Sequence, residues 1–152
     1  MHDLSELPMA LRSAYLAMHR QTDAVFRKYG VTADQFVLLA SLSRGDALTQ
    51  RELASRMSSD PSTVRAMLVL LDKQGLIHRN AHPSDSRART VSLTATGKKK
   101  FRQLWIASES IRSKMFDAIQ PAKVAIVIDS LRRISEELKE VDASSEKQPQ
   151  RA

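Results

Sequence analysis

Apolar side chains recur at helical spacing at both ends of the chain. Near the start they are three, four or seven positions apart, which predicts an amphipathic helix that ends near Lys28, before Gly30. This apolar face comprises Leu4, Leu7, Leu11, Tyr15, Met18 and Val25. Near the end, the spacing alternates between three and four over Val124, Val127, Leu131, Ile134, Leu138 and Val141. Such a narrow seam is typical of a helix that packs against a partner helix.

Two capping boxes mark the starts of two shorter helices. Thr32 and Gln35 begin the first, because each can satisfy a free N–H of the other. Thr49 and Glu52 begin the second in the same way. The first helix is expected to bury Phe36, Leu39, Ala40 and either Leu42 or Ser43. The second is only about two turns long and ends near Met57.

A turn and a third helix follow directly. Ser58–Asp60 is the predicted turn, and Asp60 can cap the next helix. Pro61 suits the first helical position, where its missing N–H costs nothing. The inner stripe of this helix is Val64, Met67, Leu68 and Leu71. Gly75 supplies a left-handed end, so the pattern predicts two short helices joined by a tight turn.

After this glycine the period changes from helical to alternating. Leu76–Arg79 and Thr90–Leu93 are predicted strands. The loop between them, at residues 80–89, carries Arg87 and Arg89 at its tip. A helix-turn-helix followed by a small hairpin with a basic tip predicts a winged helix-turn-helix.

The rest of the chain is predicted to be helical. Thr94 caps a long helix that runs to about Ala118 and has an apolar face. That face includes Phe101, Leu104, Trp105, Ile111 and Met115. Pro121 begins the last helix by the same first-turn logic. The expected fold class is therefore mainly α with a small β-hairpin wing, flanked by N- and C-terminal helices.

An excess of basic residues narrows the class of partner. The 24 Lys and Arg against 17 Asp and Glu give a net charge of +7, which favours polyanions without establishing specific binding. Because the sequence has no cysteine, disulfides, Cys-ligated zinc and thiol-based sensing are excluded. Neither a secretory signal nor an apolar run of about 18 residues is present. We expect a cytoplasmic protein.

The outward side of the third helix carries candidate DNA contacts. The inner stripe leaves Ser62, Thr63, Arg65 and Ala66 outward, near an N-terminus whose dipole and free N–H groups favour phosphate. Arg65 can donate two hydrogen bonds to guanine, and Ala66 can touch a thymine methyl group. Ser62 or Thr63 can bond a base edge or a phosphate. The alternative is an ordinary solvated face.

The tip of the hairpin favours the DNA reading. Arg87 can enter a narrow minor groove, where negative potential is concentrated, and Asp85 would orient it. Arg89 and the run Lys98–Lys100 suit phosphates, which add affinity and salt dependence but no base specificity. The further phosphate contacts that we expect are Thr49, Ser58, Ser59 and Lys98. A charge run by itself is more often a solvated face.

The order of these elements resembles the MarR family of bacterial transcription regulators, from Leu4 to Val141. The motifs that carry the resemblance are Leu53-Ala54, Leu71-Asp72-Lys73-Gln74-Gly75-Leu76-Ile77, Asp85-Ser86-Arg87 and Leu93-Thr94-x-x-Gly97. It implies an obligate two-fold homodimer on a palindromic operator, usually a repressor that a small ligand releases. The implied organisation is one domain at 1–152, with a winged helix-turn-helix lobe at 30–97, dimerisation helices at 4–28 and 98–142, and a flexible tail at 143–152.

A ligand site is implied between the dimerisation helices and the DNA-binding lobe. The residues that map there are Tyr15, His19, Phe36 and Trp105. An aromatic lining with a nearby His or Arg would suit an aromatic carboxylate or its thioester. The competing interpretation is that these aromatics are core residues, as aromatics at helical spacing usually are. No cofactor is expected, and relatives that sense peroxides through cysteine are no guide here.

Two other classes of function are the alternatives to a DNA-binding regulator that responds to a ligand. An enzyme is disfavoured, because the four histidines show no metal-ligand spacing and no nucleophile or phosphate-loop motif is present. A winged-helix module that binds protein or RNA stays open, since fold alone does not decide function. A regulator that binds DNA without responding to a ligand also stays open.

Overall fold

The computed structural model describes residues 4–45 and 47–145, with the side chains of 140–145 left out. The helices are α1 (Glu6–Phe26), α2 (Ala33–Leu42), α3 (Gln50–Arg56), α4 (Pro61–Lys73), α5 (Ala95–Ala107), α6 (Glu109–Asp117) and α7 (Val124–Ser145). The strands are β1 (Leu48–Thr49), β2 (Ile77–Ala81) and β3 (Arg89–Leu93). The chain divides into two compact units after Ile111. Within the described ranges, no helix is long and apolar enough to cross a membrane.

Both predicted capping boxes are present. At the start of α2, the Thr32 hydroxyl accepts from the Gln35 N–H at 3.1 Å, and the Gln35 side chain accepts from the Thr32 N–H at 3.0 Å. Thr49 and Glu52 form the same reciprocal pair at the start of α3. A further N–H at the start of α2 is satisfied from α1, because the Asp23 carboxylate accepts from Ala33 at 2.6 Å.

The turn between α3 and α4 also forms as predicted. Asp60 caps α4 by accepting from the Thr63 N–H, and Pro61 is its first residue. Ser58 lies in this turn with a φ of 50°, one of the few left-handed conformations that a non-glycine residue tolerates. The predicted inner stripe of Val64, Met67, Leu68 and Leu71 is buried. The outward face of α4 is fixed by that burial.

The hairpin is part of a three-stranded antiparallel sheet with the order β1-β3-β2. Each predicted strand is shifted or extended: β2 continues to Ala81 and β3 begins at Arg89, so the loop is shorter than expected. The short β1 also pairs with β3, placing Leu48 opposite Val91. The wing is therefore tied directly to the residue that caps α3.

A junction at the start of α5 joins the helix-turn-helix to the wing. The Thr94 hydroxyl donates to the Gly75 carbonyl at 2.6 Å, and the Thr94 N–H donates to the Leu76 carbonyl at 3.1 Å. Gly75 ends α4 with a φ of 69°, as its predicted role requires. Gly97 packs so closely on Leu76 that a Cβ atom would overlap its carbonyl group.

The structure differs from four boundary or core predictions. The long helix after the wing is interrupted at Ser108, whose hydroxyl donates to the Trp105 carbonyl and competes with the helical pattern. In α1 and α2 the prediction omitted Phe26 and Leu38, which are fully buried, and it placed exposed Ser43 as a possible core residue. The last helix continues to Ser145, three residues into the tail predicted at 143–152. The rest of that predicted tail, 146–152, lies outside the described residues.

Candidate nucleic-acid interface

The N-terminal half of α4 presents the residues expected to contact bases. Ser62, Thr63, Arg65 and Ala66 are all exposed. Thr63 differs from the expectation, because its hydroxyl donates to the Asp60 carboxylate at 2.6 Å while its N–H donates to the same group. These two bonds lower the pKa of Asp60. The hydroxyl proton of Thr63 is thus used in capping, which leaves Ser62 and Arg65 as the donors on this face.

The tip of the wing is a tight turn that displays Arg87. The Ala88 N–H donates to the Asp85 carbonyl at 3.2 Å, which closes the turn across Ser86 and Arg87. The Asp85 carboxylate accepts from the backbone N–H of Arg87 at 3.0 Å. Asp85 therefore holds the backbone at Arg87, and the exposed guanidinium can turn toward a groove. Arg89, at the start of β3, is also exposed.

His82 holds the other side of the same loop, a role that sequence reasoning missed. Its ring Nδ1 accepts from the Ser84 N–H and from the Asp85 N–H, both at 3.1 Å. The His82 N–H itself donates to the Ala88 carbonyl at 3.2 Å. A sequence signal existed, because a polar acceptor followed by proline is a common way to start a turn.

The expected phosphate contacts lie in two different settings. Ser58 and Lys98 are exposed, whereas Thr49 and Ser59 are half-buried. Thr49 also uses its hydroxyl oxygen to accept from the Glu52 N–H. The Thr49 side chain also hydrogen-bonds the Glu52 carboxylate and lowers its pKa, so a phosphate would have to compete for this hydroxyl.

The lysine run at the start of α5 does not act as one group. Lys98 and Lys99 are exposed, but Lys100 is half-buried and donates its Nζ to the Tyr29 carbonyl at 3.3 Å. Lys98 and Lys99 therefore stay candidates for phosphate contacts, whereas the Lys100 Nζ is already bonded within the protein. Successive helical positions point about 100° apart, so they cannot share one face.

The four residues expected to form a ligand pocket fall into two clusters. Tyr15 and His19 pack together on α1, with ring centroids 5.6 Å apart, and His19 lies 3.3 Å from Asp23 and 3.5 Å from Asp34. Phe36 stacks on Phe101, which contacts Trp105. Neither of the two depressions described next is lined by all four residues.

A surface depression of about 550 Å³ lies beside the second cluster, between the end of α2 and α5. Its walls are Ala40, Ser43, Arg44, Phe101, Arg102, Trp105 and Ile106. A second depression of about 550 Å³ shares Ala40 and Arg44 with it and is lined also by Phe36 and Arg56. Tyr15 and His19 line neither depression. The arginines were missed because one lies at the end of α2 and the other on α5, far apart in sequence.

These elements define a winged helix-turn-helix protein: a short helix, a tight turn, an outward-facing second helix and a hairpin with a basic tip. Residues 31–88 match the family model described as MarR family. The chain is 30% identical over 111 residues to the HTH-type transcriptional repressor MdtR of Bacillus subtilis (strain 168), covering 73% of this chain and 72% of that protein. The chain therefore belongs to the MarR family of transcription regulators, which are not enzymes.

Solved structures confirm the fold class. The S. aureus MepR–DNA complex matches with a TM-score of 0.77 at 21% identity, covering 91% of this chain and 99% of that one. BpsR of Bordetella bronchiseptica, solved in a study of how 6-hydroxynicotinic acid regulates its DNA binding, matches with a TM-score of 0.78 at 26% identity. That match covers 89% of this chain and 97% of BpsR. The likeness to MepR concerns the fold alone.

Proposed function

We propose that this chain is a dimeric repressor that binds a palindromic DNA operator and is released by a small aromatic acid. The observation that carries the proposal is a pair of exposed guanidinium groups on two successive elements, the helix that precedes β2 and the loop between β2 and β3. Arg65 lies on α4 for the major groove, and Arg87 lies at the wing tip for the minor groove. A cytoplasmic location fits a protein whose partner is chromosomal DNA.

Few side chains are placed to recognise base edges directly. Arg65 can bond guanine O6 and N7 together, and Ser62 can reach a base edge or a phosphate. Lys98, Ser58, Ser59 and Thr49 would contact phosphates, which position the protein without reading sequence. Ala66 adds a methyl contact to thymine.

Exposed apolar side chains support a dimer. Leu4, just before α1, is 92% exposed, and Leu7 on α1 is 57% exposed. On α7, Leu131 and Leu138 are exposed along the seam seen in the sequence; Val141, at its end, is among the side chains left undescribed. A two-fold dimer would cover such surfaces with copies of themselves. Two recognition helices would then meet half-sites about one helical turn apart.

Fluorescence anisotropy of the full chain on duplex DNA from upstream of its own gene tests the DNA proposal. A scrambled duplex and several salt concentrations serve as controls. We expect binding at least about a thousandfold tighter to the upstream duplex, with two chains per site. Equal, weak and steeply salt-dependent binding to both duplexes would instead favour the protein- or RNA-binding module.

Three arginine variants separate base reading from charge. Arg65→Ala should cost about tenfold to a hundredfold in affinity and relax the preference at one base pair of each half-site. Arg87→Ala should lower the affinity for DNA at least about tenfold, because it removes the guanidinium that is proposed to enter the minor groove. Arg20→Ala removes the same charge from an exposed position of α1, outside both elements, and should leave the ratio of specific to scrambled binding unchanged.

The depression beside Trp105 is the proposed effector site. Phe101, Trp105 and Ile106 offer an aromatic and apolar wall, while Arg44 and Arg102 can pair with a carboxylate. An aromatic acid satisfies both halves of this lining. Ligand-independent DNA binding is the competing outcome.

The single tryptophan of the sequence makes this site directly measurable. Titration with 6-hydroxynicotinate or 4-hydroxybenzoate should change Trp105 fluorescence and release operator DNA at the same ligand concentrations. Benzyl alcohol, which lacks the carboxylate, is the matched control and should do neither. Arg102→Met should weaken the acid at least about tenfold by removing its charge partner. Release that survives this change would place the effector elsewhere, and no release by any aromatic acid would favour the ligand-independent regulator.

A further inference from the structure

The protonation state of His82 follows from its hydrogen-bond partners. Two backbone N–H groups, those of Ser84 and Asp85, point at its Nδ1 atom at 3.1 Å. A backbone N–H can only donate, so Nδ1 must be an unprotonated acceptor. The Ser84 hydroxyl is also close to this atom, at 3.3 Å. The ring that fits these contacts is the neutral imidazole with its proton on Nε2.

This arrangement imitates a turn that asparagine and aspartate usually make. In such turns a side-chain acceptor takes the N–H groups two and three residues ahead, as His82 does here. Pro83, between the acceptor and the donors, has no N–H to satisfy and fixes its own φ. The imidazole therefore acts as a rigid cap on the first half of the wing loop.

The cap is connected to the tip by consecutive hydrogen bonds. His82 holds the Asp85 N–H, the Asp85 carboxylate holds the Arg87 N–H, and the Asp85 carbonyl holds the Ala88 N–H. Loss of the first bond frees the residue that makes the other two. The Arg87 side chain can then point in many directions, and fixing one of them on DNA costs conformational entropy.

We propose that His82 is a positioning residue for DNA binding: its neutral imidazole orders the wing tip through Nδ1, and it does not contact DNA. The inference rests on the proposed function, since it assumes that Arg87 enters the DNA. Protonation would abolish the acceptor and release the loop. The charged group shown to interact electrostatically with the ring is Glu52 on α3, and Asp85 in the loop meets the ring through its backbone N–H.

Two substitutions of opposite geometry test the role. In His82→Asn the amide oxygen can occupy the place of Nδ1, whereas in His82→Gln the longer side chain reaches the place of Nε2. We expect His82→Asn to keep operator affinity within about threefold of the unchanged chain, and His82→Gln to lose about tenfold, from two lost hydrogen bonds. The reverse order would mean that Nε2 contacts DNA, and equal affinities would mean that the cap is unimportant; either overturns the proposal.

A spectroscopic readout tests the cap without DNA. In ¹H–¹⁵N spectra of the full chain at pH 7.5, the His82 ring signals should show the tautomer with its proton on Nε2, and the Ser84 and Asp85 amides should be protected from hydrogen exchange. That protection should remain in His82→Asn and be lost in His82→Gln. A ring with its proton on Nδ1, or unprotected amides in the unchanged chain, would overturn the proposal.

The two tests distinguish its failure from that of the proposed function. If the unchanged chain does not prefer its upstream DNA, the regulator proposal fails, and the spectroscopic test alone decides whether His82 caps the loop. If the chain binds specifically but both His82 variants match it, the regulator proposal stands and the positioning role is refuted. Thermal unfolding of each variant verifies that all are folded.

Discussion

Replacing Gly97 with alanine introduces a side chain where the backbone leaves no room. A Cβ atom at this position would overlap the Leu76 carbonyl oxygen and lie only 2.9 Å from its carbonyl carbon. The obstacle is backbone and not the end of a flexible side chain, so either α5 or the segment between α4 and β2 must move. The Thr94 N–H bond to the same carbonyl would be distorted by that movement.

The magnitude follows from three contributions. Overpacking in a closely packed interior costs about 1–3 kcal/mol. We expect the upper end of this range, about 3 kcal/mol, because the obstacle is rigid backbone. Loss of the Thr94 hydrogen bond costs about 1 kcal/mol more. Alanine returns about 1 kcal/mol through its better helix propensity. The last two offset each other, so we expect the free energy of unfolding to fall by about 3 kcal/mol and Tm to fall by about 6–12 °C.

Thermal and urea unfolding, followed by circular dichroism at one fixed chain concentration, measure this effect. The concentration is fixed because self-association would shift the apparent stability. Gly30→Ala is the control: its φ is 69° but nothing lies within 4 Å of the new Cβ, so only about 1–2 kcal/mol of backbone strain is expected. A Gly97→Ala chain as stable as the unchanged one would refute the packing argument, since helix propensity would then have prevailed.

Three further predictions concern single side chains. The pKa of Asp60 lies below its ordinary value of 3.8 because Thr63 donates to it, so the cap stabilises α4 above that pH and the effect is lost as pH falls through the lowered value. Asp60→Ser keeps a cap without a titrating group, and urea unfolding at pH 7 and pH 3 should show it losing less stability than the unchanged chain. Lys98→Gln should lower the slope of log affinity against log salt by about 0.9 while Lys100→Gln leaves that slope unchanged, and anisotropy measures both. Leu71→Ala, at a fully buried site, should cost about 2–5 kcal/mol in urea unfolding, and a loss below about 1 kcal/mol would contradict its place in the core.

The sequence predicted well the helix starts and ends that depend on neighbouring residues in the chain. The capping boxes at Thr32 and Thr49, the Asp60–Pro61 helix start and the left-handed Gly75 each depend on residues within about four positions. Helical periodicity then placed the inner stripe of α4 correctly and, with it, the exposed face that carries Arg65. These elements could be read because the interactions that decide them are short-range.

Long-range packing is what the sequence could not reveal. Phe26 was omitted because its neighbour Val25 fits the apolar spacing of α1, yet contact with Phe36 at 4.8 Å helps to bury Phe26 completely. Whether the Lys100 Nζ is free to bind a phosphate depends on the Tyr29 carbonyl, which accepts a hydrogen bond from it and lies 71 positions away in the chain. A periodic pattern reports which face of one helix is apolar, but it does not report which neighbour that face meets.

The capping of His82 was missed for a different reason. Histidine accepts hydrogen bonds only in the correct tautomer, so its type alone does not predict a turn as asparagine or aspartate would. Its partners lie within three positions, and a search for acceptors before proline would have found them.

The junction at Thr94 has a mechanical consequence. Because one residue at the start of α5 bonds both the end of α4 and the start of the wing, recognition helix and wing form a single lever whose other arm carries Trp105 and Arg102. A tilt of α5 would move together the two elements that we propose to contact DNA and would preserve their mutual geometry. In the proposed dimer, an effector bound at the proposed site would therefore alter the distance that the dimer spans between its two half-sites, and each half-site alone would be recognised as before. Operators with one base pair added or removed between the half-sites would reveal this as a changed preference for spacing.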